Sequence, residues 1–573
     1  MINTNFIFRM HFIIICLVFF NSFPVLSDCP NEIYKKQFTK LSSGVNGYFV
    51  PGSNQMEVDG SGNMYFIAQG QGSWETLDIE IPAGENWENY YNRYLFKFDN
   101  EFNYLWHVNL SESRHDFTFE EDAAAITLTD EKEVVMLARY QSDTVTLDQD
   151  TLNLDSREGV LAVHVSPEGE VLRHNNIITT DGENKINHKR GIRLSASSNN
   201  GYRVGLNKSG AIQAGNLETN TDTGTFVGSF NHNGDLQWHH DIPNTILLAM
   251  ESANQENLLA SFFYTQDIEI DGEVFPGEND QYRNSVLANF DADGNLSWSF
   301  TGTGAEILTS LSLAITESYI YATGNFEGAT HDFGNDILID NDSDMSQHYV
   351  IKLSIPNGEP QDIFTFEAEE HFRVQDMTVT HEQNLLITSS FRGNVHIDDD
   401  VFKNPAPAGT PLFTELSPET EHIHSQVVIS EGNSNIYALN THNQNLYFTG
   451  FFTEESIELF GRELLSVPNS QTNIFFKTCY DNITSLMPEP EDKESTLVAY
   501  PNPAQNHINI VAPEVMKNTE LYTMDGRRLM HRKANDDELR LQLENIPEGF
   551  YLLRIETQNG NIFNERIIIG DKR

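Results

Sequence analysis

The sequence predicts an all-β protein in which four-stranded sheets are repeated radially and a small β-sandwich follows. Three observations carry that expectation. Short apolar strands recur seven times between Met64 and Leu446, at spacings of 56 to 70 residues. No segment shows a convincing long amphipathic helical period. The C-terminal stretch from Ser495 has short strands, proline-confined edges and turns at Asp525-Gly526 and Glu548-Gly549. With 39% apolar and 11% aromatic residues, the 573-residue chain can bury a large core.

Residues 1–27 read as a secretory signal peptide. Arg9 supplies the positive flank, Phe12 to Phe20 the apolar run, and Pro24 to Ser27 a turn before a cleavage point. Cys29 does not complete a lipoprotein signal, because Asp28 stands where a small residue is needed. No later stretch is as long as the roughly 20 apolar residues of a membrane-spanning helix, so the sequence offers no transmembrane segment. Cys16 leaves with the signal, and the pair that remains, Cys29 and Cys479, suits a disulfide in an oxidising compartment.

Charge divides the chain. Its 84 acidic and 35 basic residues give a net −49. The segment from Ser495 is nearly neutral, with 11 acidic and 10 basic residues. The long region before it is therefore strongly acidic, which disfavours nucleic acid and anionic lipid as partners. Residues 484–494, rich in Pro and Glu, form the linker between residues 28–483 and 495–573.

Each repeat in the acidic region has an apolar strand with a small residue near its end, then a stretch of variable length. A second apolar strand, a tight turn and a final strand often marked by Trp follow. The first of these strands begin near Met64, Val134, Tyr202, Leu258, Ile320, Leu385 and Leu446. The second run over 94–98, 160–164, 225–230, 285–290, 349–353, 412–416 and 473–477, mostly apolar throughout, as expected of strands covered on both faces. In the turns, Gly234 and Gly294 supply positive φ, and the Asp or Asn at their start can bond back to the turn backbone. Trp106, Trp238 and Trp298 then enter the final strand, where a flat ring can fill the gap between sheets.

These repeats resemble those of seven-bladed β-propellers of exported bacterial proteins, whose hallmark is an apolar strand followed by Asp-x-x-Gly-Asn-x-x-Trp. Asp291, Gly294, Asn295 and Trp298 match it fully, while the second, fifth and sixth units lack the Trp. The resemblance implies a propeller over residues 28–483.

At the C-terminus, Tyr500-Pro501-Asn502-Pro503, Asp525-Gly526 and the Gly549 to Tyr551 segment precede a last apolar strand. In this order the motifs are similar to the type A sorting domain of the type IX secretion system. That resemblance implies the secretion machinery as a partner, passage through the outer membrane, and removal of the domain with release or surface attachment.

Chemical motifs in the repeats are sparse. No nucleophile elbow, phosphate loop, zinc helix or paired Cys-x-x-Cys occurs, so no catalytic or cofactor-binding residue is assigned. Asp340, Asp342 and Asp344, and the run Asp398 to Asp400, offer oxygens that could ligate calcium, although solvated loops explain such clusters equally well in so acidic a chain. His422 and His424, and the pair His239-His240, are candidate metal ligands by residue type, but strand alternation sends the latter two to opposite faces.

Two functions fit. The first is a non-catalytic binding or adhesion module for an extracellular glycan or protein. The second is an extracellular hydrolase acting on polysaccharide or protein, which two or three buried carboxylates converging at the ring axis would favour. The seventh unit lacks a final strand. Residues 32–39 precede the first unit and can supply it, which would bring Cys29 near Cys479.

Overall fold

The computed structural model describes residues 34–40 and, with short interruptions, 55–479 and 498–569. The signal segment, Cys29 and the linker lie outside the described residues. The described residues are all-β and contain no α-helix. The chain divides into two compact units, 1–486 and 487–573.

In the first unit every sequence repeat forms an antiparallel sheet. The strands recognised by their apolar character are the second and third of each sheet, as in Met64–Gly70 with Tyr90–Phe98, or Leu385–Phe391 with Thr410–Leu416. Third strands such as Gly159–Val165 and Gly224–Phe230 are buried along their whole length, as sheets stacked on both faces require.

An inner strand precedes each pair, and the sequence analysis had not placed these. They are Met56–Val58, Ala124–Leu128, Ile192–Ala196, Thr245–Ala253, Leu308–Ile315, Phe372–Val379 and Ser434–His442. Each lies beside the next, and Met56–Val58 lies beside both Ala124–Leu128 and Ser434–His442.

Apolar cores sit between neighbouring sheets. One joins Leu95, Val108 and Ile126 to Val163; another joins Phe66 and Phe96 of the first repeat to Ala438 and Tyr447 of the seventh. Polar contacts also link the seventh repeat to the first. The Lys477 Nζ donates to the carbonyl of Asn100 at 2.5 Å, and the Tyr447 hydroxyl donates to that of Gly62 at 3.3 Å.

The outer strands include Tyr104–Ser113, Val171–Thr179 and Pro360–Ala368. Tyr34–Lys40 lies antiparallel to Thr472–Cys479, with Tyr34 opposite Lys477 and Phe38 opposite Asn473.

The stretch of variable length contains a small hairpin, which in four of the seven repeats extends the preceding outer strand and in the other three (Ile268–Ile270 with Glu273–Phe275, Thr330–Asp332 with Leu338–Asp340, Ser456–Leu459 with Arg462–Leu465) is a two-stranded sheet of its own. Thr144–Leu147 pairs with Tyr104–Ser113, Gln213–Ala214 with Val171–Thr179, and Asn394–Ile397 with Pro360–Ala368. Trp74–Glu75 pairs with Tyr34–Lys40 in the same way. These hairpins cover sheet edges that would otherwise be open to pairing.

The turns before the outer strands follow one plan. The Asp291 carboxylate accepts the amides of Asp293 (3.0 Å) and Asn295 (2.8 Å), and Asp99 accepts those of Glu101 and Asn103. Position four is left-handed: Gly234 has φ +85° and Gly294 +88°, and Phe102 takes the same place at +63°.

The Trp indoles lock sheet to sheet. Trp238 Nε1 donates to the carbonyl of Ala292 at 2.9 Å, and the ring lies where a Cβ on Gly294 would approach within 2.6 Å. Trp106 treats Pro167 and Gly169 likewise, and Trp298 treats Ile355 and Gly358. Where the Trp is lost in the second repeat, Arg173 Nε donates at 2.9 Å to the equivalent carbonyl, that of His232.

Gly294→Ala must therefore both strain φ and displace Trp238. It is expected to lower stability by about 1–3 kcal/mol. Gly272→Ala, at φ +82° with nothing within 4 Å of the added carbon, should show the strain alone. Chemical denaturation of the two variants measures the difference, and equal losses would remove the Trp lock from the account.

The second unit stacks the sheet of Val498–Tyr500, His507–Val511 and Glu538–Gln542 on that of Arg528–Lys533, Met516–Thr523, Gly549–Thr557 and Ile562–Ile569. Ile508, Leu521, Leu541, Leu553 and Ile567 fill one core.

Candidate functional site

The inner strands line a half-open cavity of about 400 Å³, within the size range of small-ligand sites. Three carboxyl side chains line it: Glu57 from Met56–Val58, Glu251 from Thr245–Ala253 and Asp376 from Phe372–Val379. No Lys, Arg or His is among the lining residues. β-Bulges interrupt pairing between Leu247 and Ala249 and between Val374 and Asp376. A bulge re-aims the side chains after it, and Glu251 and Asp376 both follow one.

Asp376 has a structural task besides. Its Oδ1 accepts the amide of Met377 at 2.9 Å and its Oδ2 that of Leu439 at 2.8 Å, tying the sixth inner strand to the seventh. Glu57, half-buried, and Glu251, exposed, both stand on the wall of the cavity. Loss of bulk water around the carboxyls there is the main reason they bind protons tightly. Burial, then the Glu251 charge, pushes Glu57 up to about 8. Burial, with Asp376 as a further anion, pushes Glu251 up to about 7, while the amide of Ser252 pulls the other way.

Because both affinities rise on folding, the unfolded chain loses these protons first as pH increases. Stability is expected to be fullest below the ordinary glutamate value and to fall as pH rises through about 7 for Glu251 and about 8 for Glu57. Thermal melts across that window should flatten in Glu57→Gln and Glu251→Gln. An unchanged slope in both variants would contradict the assignment.

Ser195 completes the wall. It is 3% exposed, its hydroxyl meets no hydrogen-bond partner among the described residues, and it lines the same cavity.

None of these four residues was singled out by sequence. The signal was an acid beside a methionine in a short strand: Met56-Glu57, Met250-Glu251 and Asp376-Met377.

The sequence-derived candidates fall elsewhere. Asp340 ends the strand Leu338–Asp340, and Asp342 and Asp344 lie outside the described residues. Asp398, at φ +50°, and Asp400 belong to the Asn394–Ile397/Asp400–Lys403 hairpin, which gives these two acids a place at its turn, and Asp399 lies outside the described residues. His239 stacks on Phe226 of its own sheet, whereas His240 lies 4.7 Å from the Phe290 ring of the next. His422 Nε2 is 2.9 Å from Ser425 Oγ and its Nδ1 is 3.6 Å from Asp398, while burial lowers the proton affinity of His424. Among the described residues no group of three or more His, Cys, Asp or Glu is placed to hold a metal ion.

In the second unit Tyr500 ends the strand Val498–Tyr500, Gly549 begins the strand Gly549–Thr557, and the buried Tyr551 donates its hydroxyl to the carbonyl of Pro547 at 2.8 Å. Pro501, Asn502, Pro503, Asp525 and Gly526 lie outside the described residues. Cys479 ends the strand Thr472–Cys479.

The chain is thus an all-β protein with a separate C-terminal β unit. Residues 498–570 match the secretion system C-terminal sorting domain, and the protein is exported by the type IX secretion system to the cell surface or the extracellular space.

A search of curated proteins found no match. Among solved structures, an ulvan lyase from a new polysaccharide lyase family is 9% identical with a TM-score of 0.32, covering 92% of this chain and 96% of that one. PorZ, a surface component of the type IX system of Porphyromonas gingivalis, is 10% identical with a TM-score of 0.13, covering 92% and 100%. The phage phi92 endosialidase is 9% identical with a TM-score of 0.27, covering 94% and 88%. Similarities of this size assign no activity.

Proposed function

We propose that this is an exported seven-bladed β-propeller, closed by its N-terminal strand, that binds a polar extracellular ligand in the channel along its axis. The succession of inner strands supports the ring, as does the packing of Met56–Val58 beside Ser434–His442. Closure has its own support. Tyr34–Lys40 stands toward the first repeat's hairpin as Tyr104–Ser113 stands toward the second's.

The observation that carries the functional reading is the convergence of Glu57, Glu251 and Asp376 on one cavity. Such groups fix a ligand's orientation through polar contacts.

A second reading, hydrolysis of a glycosidic or peptide bond, is favoured by the same carboxyls. Two acids that exchange protons near neutral pH can serve as general acid and base.

The mature chain should be screened against glycan and protein arrays beside a hydrolase panel. A ligand retained intact by wild type and lost in Glu251→Gln supports binding. Turnover lost in Glu57→Gln and Glu251→Gln supports hydrolysis. Capture indifferent to both substitutions would place the site elsewhere and overturn the proposal.

A further inference from the structure

We propose that the seam between the second and third repeats is an acid-sensitive latch, in which a proton on His164 displaces Arg173 from the tie it makes to the third repeat. The inference does not depend on the axial channel.

The other repeats show what is unusual here. Lys97 Nζ donates to the Pro167 carbonyl in the next repeat's turn at 2.8 Å, and Lys352 and Lys477 donate in the same way to Pro418 and Asn100, both at 2.5 Å. A lysine ammonium keeps its charge as pH falls. The second repeat has His164 opposite Arg173 where the first has Lys97 opposite Trp106. An imidazole titrates in mild acid.

The His164 side chain is fully buried. Arg173 Nη2 lies 2.8 Å from His164 Nδ1 and 2.7 Å from Glu133 Oε2, while Arg173 Nε makes the bond across the seam to the His232 carbonyl. A guanidinium only donates, so Nδ1 accepts and the ring's proton sits on Nε2. Nε2 and the hydroxyl of Tyr202 in the third repeat are both buried without a hydrogen-bond partner among the described residues, and the two rings meet edge to face at 5.5 Å. The closed seam therefore holds the neutral ring.

Protonation reverses the arrangement. Nδ1 becomes a donor facing a donor, two cations share one site, and the new N–H competes for Glu133 Oε2, 3.4 Å away. Arg173 is the partner able to leave. Its side chain is 26% exposed, and it lines a half-open cavity of about 540 Å³ together with Asp148, Asp150 and Glu170. Leaving gives up the bond to His232, and this seam has neither the lysine nor the Trp that secure the first one to Pro167.

The charged and titratable groups facing His164 are Glu133 and Arg173 of its own sheet and Tyr202 and His232 of the third repeat, with Asp235 acting on Tyr202. Burial first, then the Arg173 charge, pushes His164 down to about 4, against the pull of Glu133. In the opened seam the ring regains its ordinary value of about 6.5. Closure is thus complete above about 6.5 and is lost as pH falls from there towards about 4.

Thiol labelling of the purified mature chain with dithiodipyridine tests this, with rates normalised to the unfolded chain and sites read by mass spectrometry. Ala162 is buried in the core of this seam and Ala138 in that of the first. Between about pH 7 and about pH 5, labelling of the Ala162→Cys variant should accelerate about tenfold or more, and that of Ala138→Cys by no more than about twofold. Global unfolding would accelerate both alike. Adding His164→Gln, which accepts from Arg173 at every pH, should abolish the acceleration, and adding Arg173→Gln should make labelling fast at both pH values. Equal responses of the two seams, or an acceleration that survives His164→Gln, would overturn the proposal. Crystal structures of the wild type at about pH 7 and about pH 4.5 give a second reading: Arg173 should leave the His232 carbonyl in acid, and an unchanged bond would equally overturn it.

Discussion

A mature chain that begins after Lys40 is expected to melt roughly 3–5 °C below one that begins at Asp28, the scale of a loss of about 3–5 kcal/mol in a domain of this size. The cause is specific. Tyr34–Lys40 pairs on one side with Thr472–Cys479 and on the other with Trp74–Glu75. Its removal leaves Thr472–Cys479 as an open edge and strands the first repeat's hairpin. An open edge also templates pairing between chains, so the shortened protein should self-associate. Differential scanning calorimetry and light scattering read both effects, and equal melting of the two chains would remove the N-terminal strand from the account of closure.

A non-reducing peptide map of the longer chain also reads the Cys29–Cys479 bridge proposed from the sequence. Two freely alkylated thiols would leave closure to strand pairing alone.

Truncation before Val498 is expected to abolish appearance of the protein outside the cell, with the shortened chain accumulating behind the outer membrane. The deleted residues contain the whole matched sorting domain. Their two sheets share a core of their own, so the loss need not disturb the first unit. Surface proteolysis and immunodetection in the medium measure the outcome, and unaffected export would contradict it. In wild-type cells, mass spectrometry of exported protein should find chains ending between residues 484 and 494, and full-length chains there would refute removal of the domain.

What the sequence revealed and what it hid divide along physical lines. Strands covered on both faces announce themselves as apolar runs, which is why Val160 to His164 and Leu412 to Leu416 were legible. The turns were legible because positive φ and side-chain bonding to the turn backbone restrict residue choice, as at Asp291 and Gly294. The Trp positions were legible as gap fillers, and their partners across the gap became visible only in the structure.

Inner strands were hidden. Met56–Val58 has three residues, too few for any period, and channel-facing strands mix acids and hydroxyls with apolar residues. The outer hairpins were hidden too, because Thr144 to Asn153 alternates like an exposed loop edge with Asp148 at its turn. The site depended on both. Glu57, Glu251 and Asp376 are distant in sequence and share a cavity only because the repeats bring their inner strands together, and no local motif marks that convergence. Asp398 and Asp400 show the reverse case, conspicuous acids at a hairpin turn.

The most direct test of the account is a crystal structure of the mature chain grown with whichever ligand the arrays identify. The account predicts ligand density inside the ring of inner strands, in contact with Glu57 and Glu251. Density confined to the outer hairpins or the turns before the outer strands, with the axial cavity holding water alone, would contradict it.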